Sequence, residues 1–253
     1  MKNDLVRTII NKKISCVFLS PHQDDAVLSC GELLSQLSGK TDITVINFFT
    51  KAHEGPYTLS TKQFLKASGI ADAIELYKKR RSEDKKVLSA FKAKVINFDF
   101  EDALFRRRKK RSPFGKMLAE FDHVYPTYRW HIIKNIATND EVIAEIKEKL
   151  RAYKKEKILV FAPYGVGNHA DHRTIRKICE ELFDTYILYS DFPYNSRENV
   201  AHEVNQKKNM YKIKPNMKKK SQLIHGYKTQ LVGLFPNAII PDHEEIYFIH
   251  GSL

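Results

Sequence analysis

The chain has 253 residues with 43 Lys+Arg against 30 Asp+Glu, a formal net charge of +13. With 42% hydrophobic and 29% charged residues it has a globular balance, which excludes a disordered, collagenous or membrane-embedded chain, and its length suffices to bury roughly 70–75% of the unfolded surface. The cationic surplus raises a nucleic acid, an anionic membrane surface or an acidic substrate as partner and selects none of them.

At the N-terminus the apolar run Val17–Leu19 is too short for a signal segment, and no stretch approaches the roughly 20 apolar residues of a spanning helix. Cys16, Cys30 and Cys179 are too few and too scattered for a disulfide framework. A cytoplasmic, reducing location is therefore expected. The first strand is read at Ile14–Ser20, followed by a helix over Ala26–Leu37 that stops at Gly39. Thr44–Phe49 reads as a second strand, Ala71–Phe91 as a lysine-rich helix and Lys94–Phe98 as a third strand. From Asp99 to about Thr138 the pattern weakens into an insertion holding RRRKKR and the aromatics Phe121, Tyr125, Tyr128 and Trp130. Asn139 or Asp140 then caps a helix reaching Tyr153, and Lys157–Ala162 is a fourth strand. A glycine-punctuated loop, a helix over Asp171–Phe183 and a fifth strand, Tyr186–Asp191, follow. The tail holds a helix at about Met217–Leu231 and a final strand, Ile246–His250.

Strands alternating with longer helical patterns predict an α/β fold: a Rossmann-like, open, mostly parallel sheet flanked by helices. One domain over 1–253 is expected, with an insertion at about 100–138 and a C-terminal extension from about 192. In such sheets ligands bind beyond the carboxyl ends of the strands, near the point where strand order reverses.

Two polar clusters sit at such ends. Ser20-Pro21-His22-Gln23-Asp24-Asp25 follows the first strand, and Gly165-Val166-Gly167-Asn168-His169-Ala170-Asp171-His172 follows the fourth. If these loops share one crevice, they assemble imidazoles and carboxylates in one place. Two imidazoles and one carboxylate on a tetrahedral ion leave a position open for water, as catalytic zinc sites do, and the remaining carboxylate and histidine are free for acid–base work. Either cluster alone reads more simply as a helix cap beside a surface histidine, with Asp24 or Asp25 complementing the positive end of the next helix. Two clusters at equivalent strand ends are poorly explained that way.

SPHQDDAVLSCGELL resembles the His-x-Asp-Asp signature of the PIG-L/LmbE-like N-deacetylases, and PYGVGNHADHR resembles that family's His-x-Asp-His signature. The resemblance covers roughly Ile14–Asp191 and implies a zinc-dependent hydrolase that removes acetyl from an N-acetylated amino sugar or glycoconjugate. It implies His22, Asp25 and His172 as metal ligands, with Zn²⁺ or another divalent ion such as Fe²⁺. It implies Asp24 as general base, His169 as a protonated stabiliser of the oxyanion and donor to the leaving amine, and Asp171 as the partner that holds the tautomer of His169 or raises its pKa. Softer matches imply substrate contacts from Arg80 or Arg81, Asp102, Tyr164, Asp191 and Tyr194. Gln23 and Ala170 stand where the family signatures carry proline; neither position supplies a functional atom.

The tracts KKRR (78–81), RRRKKR (106–111), KKEK (154–157) and KKK (218–220) support a second reading, a nucleic-acid or anionic-surface binder on the same fold. No recognised nucleic-acid-binding fold or motif accompanies them, and a charge run is read first as a solvated face. The expected partner is a small, possibly anionic, amino-sugar substrate.

Overall fold

The computed structural model describes residues 5–125, 132, 136, 141–197 and 210–252. In chain order it contains α1 (Leu5–Asn11), β1 (Ser15–Ser20), α2 (Asp25–Leu37), β2 (Ile43–Asn47), α3 (Leu59–Ser68), α4 (Ala73–Leu88) and β3 (Lys94–Asn97). These are followed by α5 (Val142–Arg151), β4 (Ile158–Pro163), α6 (Ala170–Leu182), β5 (Tyr186–Tyr189), β6 (Met210–Ile213), α7 (Met217–Ile224), α8 (Lys228–Leu234) and β7 (Glu245–His250).

Strands such as SCVFLS and ILVFAP are buried along almost their whole length, the pattern of parallel strands covered on both faces. They form one seven-stranded sheet in the order β3-β2-β1-β4-β5-β7-β6. The first five strands in that order pair in parallel, while β7 runs antiparallel to both β5 and β6. Successive residues of β1 serve opposite faces. Phe18 packs with α1, α2 and α4 through Leu5, Ile9, Leu33, Leu34 and Val87. Val17 and Leu19 pack with α5 and α6 through Ile146, Leu150, Ile175 and Ile178. Phe18 also stacks on Phe161 of β4 with ring centroids 4.4 Å apart.

The chain runs outward from β1 through β2 to β3 in one direction and from β4 to β5 in the other. The reversal therefore falls between β1 and β4, which places both polar loops at the crevice where such sheets bind ligands. The expected Rossmann-like α/β architecture is present.

Three elements lie outside the expected set. α1 has only seven residues, too few for a periodic signal. β6 is a half-exposed edge strand. α3 starts where Thr58 accepts a hydrogen bond from the Thr61 amide, within a stretch expected to be loop. The expected tail helix is two helices, α7 and α8, and between them Gly226 passes so close to the Val87 side chain and the Leu223 carbonyl oxygen that a Cβ there would collide with the first and lie 2.9 Å from the second. The insertion is tied down: Arg107 bridges to His123 and Lys51 to Glu101, and the ring nitrogens of His53 and His123 meet at 3.2 Å. Tyr128, Trp130, Asn139 and Asp140 lie outside the described residues.

Within α2 the backbone leaves helical geometry at Cys30 (φ −130°, ψ 17°), which frees the amides of the following turn. The carboxylate of Glu245 accepts the Glu32 amide at 2.8 Å and the Leu33 amide at 3.1 Å. It also takes the Tyr247 hydroxyl and the Lys220 ammonium, each at 2.6 Å. Lys220 is thus a buried cation inside the KKK tract, whose expected solvated reading holds only for its two exposed neighbours. Removing one member of such a pair strands the other's charge. Glu245→Ala is expected to lower the unfolding free energy by about 3–5 kcal/mol in urea titrations; a loss below about 1 kcal/mol would show that the pair does not hold the break.

Candidate active site

The β1 loop is shaped by its own polar groups. The Ser20 hydroxyl donates to the His22 carbonyl at 2.6 Å and accepts the Ala26 amide at 3.1 Å. The Asp25 carboxylate accepts the His22 amide at 2.8 Å. Asp24 occupies the cap position of α2 but makes no side-chain capping bond, so the simple cap reading does not account for it. In the β4 loop Gly165 and Gly167 adopt φ of 85° and 79°, a region that side chains disfavour. A Cβ at Gly167 would lie 3.0 Å from the Tyr194 ring. His169 ends this loop as the cap of α6, its Nδ1 accepting the Asp171 amide at 3.2 Å.

The two loops bring His22, Asp25 and His172 together, with ligand atoms within 4.8 Å of one another. The Asp25 carboxylate faces His22 Nδ1 at 3.2 Å and His172 Nε2 at 3.4 Å. His172 Nε2 is buried with no hydrogen-bond partner, a lone pair aimed at the middle of the triad. Each imidazole is held from behind by a carboxylate. His172 Nδ1 lies 2.6 Å from Asp191, which also accepts the Gly165 and Val166 amides at 2.7 and 2.9 Å. His22 Nε2 lies 3.1 Å from Asp171, whose other oxygen pairs with the buried guanidinium of Arg106. Carboxylate-backed imidazoles beside a carboxylate are the donor set of a divalent metal site, and on these grounds the residues fit one.

The electrostatics follow the same grouping. Burial disfavours the charged Asp25, but His172 and His22 outweigh it and hold its pKa below the usual carboxylate range. Burial likewise opposes protonation of His22, yet Asp102, Asp171 and Asp25 hold its pKa well above the ordinary value. Asp24 differs. Among the described residues its carboxylate takes no hydrogen bond or ion pair, and burial together with Asp25 pushes its pKa up to about 7.

Burial, followed by the fields of His22 and His172, pushes the pKa of His169 down to about 3, which acts against the protonated form expected for it. With Nδ1 accepting the Asp171 amide, the ring hydrogen sits on Nε2. Asp171 acts on His169 as expected, its charge raising the pKa of the imidazole and its amide fixing the tautomer through Nδ1, while one carboxylate oxygen is taken by Arg106 and the other by His22 Nε2 and by the Ala103 amide at 3.0 Å. Arg106 was expected to be part of a solvated tract. It is buried instead, stacked over Phe49 at 4.4 Å and Tyr125 at 5.7 Å. No sequence signal separates it from the five cations that follow.

His22, Asp24, Asp25 and His169 open into a cavity of about 270 Å³ walled by Phe64 of α3, Leu234 of α8 and Phe192. Of the expected substrate contacts, Arg80, Asp102 and Tyr194 line it. Arg80 is 7% exposed, with its guanidinium over the Phe64 and Tyr77 rings at 5.2 and 5.1 Å and its Nε without a partner. Asp102 accepts the Tyr77 hydroxyl at 2.6 Å. The other three lie elsewhere. Arg81 is turned outward onto Asp99, Tyr164 is covered by Arg176 at 4.3 Å and by Phe248, and Asp191 sits behind His172.

Residues 17–183 match the family model described as PIG-L: GlcNAc-PI de-N-acetylase. The 2'-N-acetylparomamine deacetylase of Niallia circulans is 24% identical over 240 residues, covering 88% of this chain and 83% of that protein. Among solved structures, a deacetylase–teicoplanin complex from the teicoplanin biosynthesis pathway superposes with a TM-score of 0.70 at 21% identity, over 93% of this chain and 97% of the other. The N,N'-diacetylchitobiose deacetylase of Pyrococcus horikoshii does so with a TM-score of 0.53 at 15% identity, over 98% and 90%. The family match spans most of the chain and contains both polar loops, and the chain belongs to the PIG-L family of de-N-acetylases.

Proposed function

We propose that this chain hydrolyses the N-acetyl amide of an amino-sugar derivative, releasing acetate and a free amine, with Zn²⁺ as its ion and His22, Asp25 and His172 as the ligands. The observation that carries this reading is the ligand triad beside Asp24, which lines the cavity and has no side-chain partner among the described residues. A divalent ion held by the triad supplies a Lewis acid and makes hydroxide available at neutral pH.

Asp24 takes the proton of the attacking water. A carboxyl poised near 7 is well matched to that task, and a neighbouring cation pulls its pKa down toward the ionised form. His169 donates its Nε2 hydrogen to the developing oxyanion while remaining neutral, so no proton is transferred at that step. Asp24, now protonated, returns the proton to the leaving nitrogen as the C–N bond breaks. Asp171 and Asp191 fix the rings of His22 and His172, and Arg106 keeps Asp171 ionised. In the cavity Arg80, Asp102 and Tyr194 receive the sugar, with Phe64 and Phe192 available to its apolar face. The compounds named for two relatives, 2'-N-acetylparomamine and N,N'-diacetylchitobiose, support an acetylated amino sugar as the substrate. Residues 1–253 act as one catalytic domain in a cytoplasmic setting. No helix among the described residues is long and apolar enough to cross a membrane.

Three measurements test the reading on a panel of N-acetylglucosaminides. Asp24→Asn is expected to keep its metal and lose at least about 10²-fold in acetate release; an undiminished rate would remove it as the base. His172→Ala is expected to lose the metal by elemental analysis of the purified chain, and full occupancy would overturn its place among the ligands. His169→Gln is expected to lower kcat about 10²–10³-fold with metal retained, whereas a changed KM at constant kcat would make it a binding residue only.

A further inference from the structure

The insertion that lines the cavity through Asp102 and Leu104 also carries an exposed apolar tip. Its two arms pair at Arg107 and His123, with the Arg108 amide donating to the Asp122 carbonyl at 2.8 Å and the Val124 amide to the Arg106 carbonyl at 2.9 Å. Residues 112–121 close this stem in tight turns. The Asp122 carboxylate accepts the Ser112 amide at 2.6 Å and lies where a Cβ of Gly115 would be, so the tip is built around a buried acid. From this ordered base Phe114, Met117, Leu118 and Phe121 project with exposures of 60%, 81%, 48% and 50%, Phe114 and Phe121 forming a ring pair at 6.1 Å. Burying such side chains in water's absence is favourable, yet the fold leaves them outside.

Cations lie in the same segment. Arg108, Lys110, Arg111 and Lys116 are exposed, and among the described residues none of them is ion-paired. From Ala103 to Ala119 the chain has no Asp or Glu. The two acids of the tip are engaged elsewhere, Asp122 inward as described and Glu120 on the Leu59 amide at 2.9 Å. That last bond joins the tip to the start of α3, whose own Leu59 is exposed and whose later residues Gln63, Phe64, Ala67 and Ser68 line the cavity. Exposed bulky apolar side chains in one short segment with exposed cations that have no ion pair among the described residues match the interface of an anionic bilayer, where the chains enter the acyl boundary and the cations meet headgroups. A polyanion in solution would use the cations and leave Phe114 and Met117 idle.

We propose that the 107–122 tip docks this protein on an anionic phospholipid surface, with the cavity lying along the same edge of the molecule. The proposal concerns binding and stands whether or not the deacetylase reading holds.

The test is co-sedimentation of the full chain with phosphatidylcholine vesicles with and without phosphatidylglycerol, in the absence of any sugar substrate. Partitioning is expected to be at least about tenfold stronger on the anionic vesicles and to weaken with salt. Phe114→Ser/Met117→Ser and, separately, Lys110→Gln/Arg111→Gln/Lys116→Gln are each expected to reduce it about tenfold or more, with unchanged Tm and unchanged rate on a soluble substrate. No binding to either vesicle would overturn the proposal. So would anionic-vesicle binding that the Phe114/Met117 variant leaves intact and an oligonucleotide displaces, since that is charge alone. A dimer in sedimentation that the same variant dissociates would overturn it in favour of a second copy covering the tip.

Discussion

One buried carboxylate, Asp171, joins the three segments that make the site. It is fully enclosed, and each of its oxygens is taken: Arg106 from the insertion holds one, while His22 from the β1 loop and the Ala103 amide share the other. An ionised carboxylate in such a place is tolerated only when its lone pairs are all satisfied. Its own helix, α6, also presents His172, so the same turn that places a ligand places the group that orients the other ligand. The ring of His22 is therefore set by a partner 149 residues away. Arg106 in turn is fixed by the Phe49 ring and by the Glu101 carbonyl at 3.0 Å, which extends the constraint to the segment after β2.

Much of this arrangement is legible in the sequence. The alternation of short apolar runs with helical stretches gives the sheet. The two polar loops could be assigned to one crevice before their strands were known to be neighbours, because strand order in such folds reverses next to the first strand. The parts that were not legible share a cause. Arg106 and Lys220, and the choice of Arg80 over Arg81, each concern a run of cations, and Arg106, Lys220 and Arg80 are each the one member of their run that the fold buries most deeply. Composition averages over a run, whereas burial is decided residue by residue by partners distant in sequence: the Phe64 ring for Arg80, Asp171 for Arg106, Glu245 for Lys220. Asp191 and Tyr164 mislead in the same way, since a residue just beyond a strand reads as a ligand-facing group even when it supports one from behind.

The cationic surplus thus divides into two physical roles. A few cations are taken into the interior, where each offsets a carboxylate or lies on aromatic rings beside the cavity, and their value depends on geometry rather than on ionic strength. The remainder stay in solvent, screened over about 8–10 Å at physiological salt, and act only where several coincide. The tip at residues 107–122 is such a place, because of its two acids Asp122 is buried and Glu120 is hydrogen-bonded to the Leu59 amide.

The lowered pKa of His169 bears further on the proposed chemistry. His22 is held toward its charged form and Arg80 lies along the same cavity, so another positive charge on His169 would add repulsion where water is too scarce to screen it. With a divalent ion in the triad His22 would be neutral, and the charge of the ion would stand in place of its own in that repulsion. A neutral imidazole still offers its Nε2 hydrogen to an oxyanion, but it has no spare proton for an amine. In the proposed reaction the proton that leaves water is therefore the one that reaches the leaving nitrogen, carried by Asp24, which has neither a hydrogen bond nor an ion pair to hold it among the described residues. Under this assignment loss of Asp24 removes both proton transfers, while loss of His169 removes only the stabilisation of charge between them. The two variants should then differ in their dependence on the basicity of the departing amine, which enters only the second transfer.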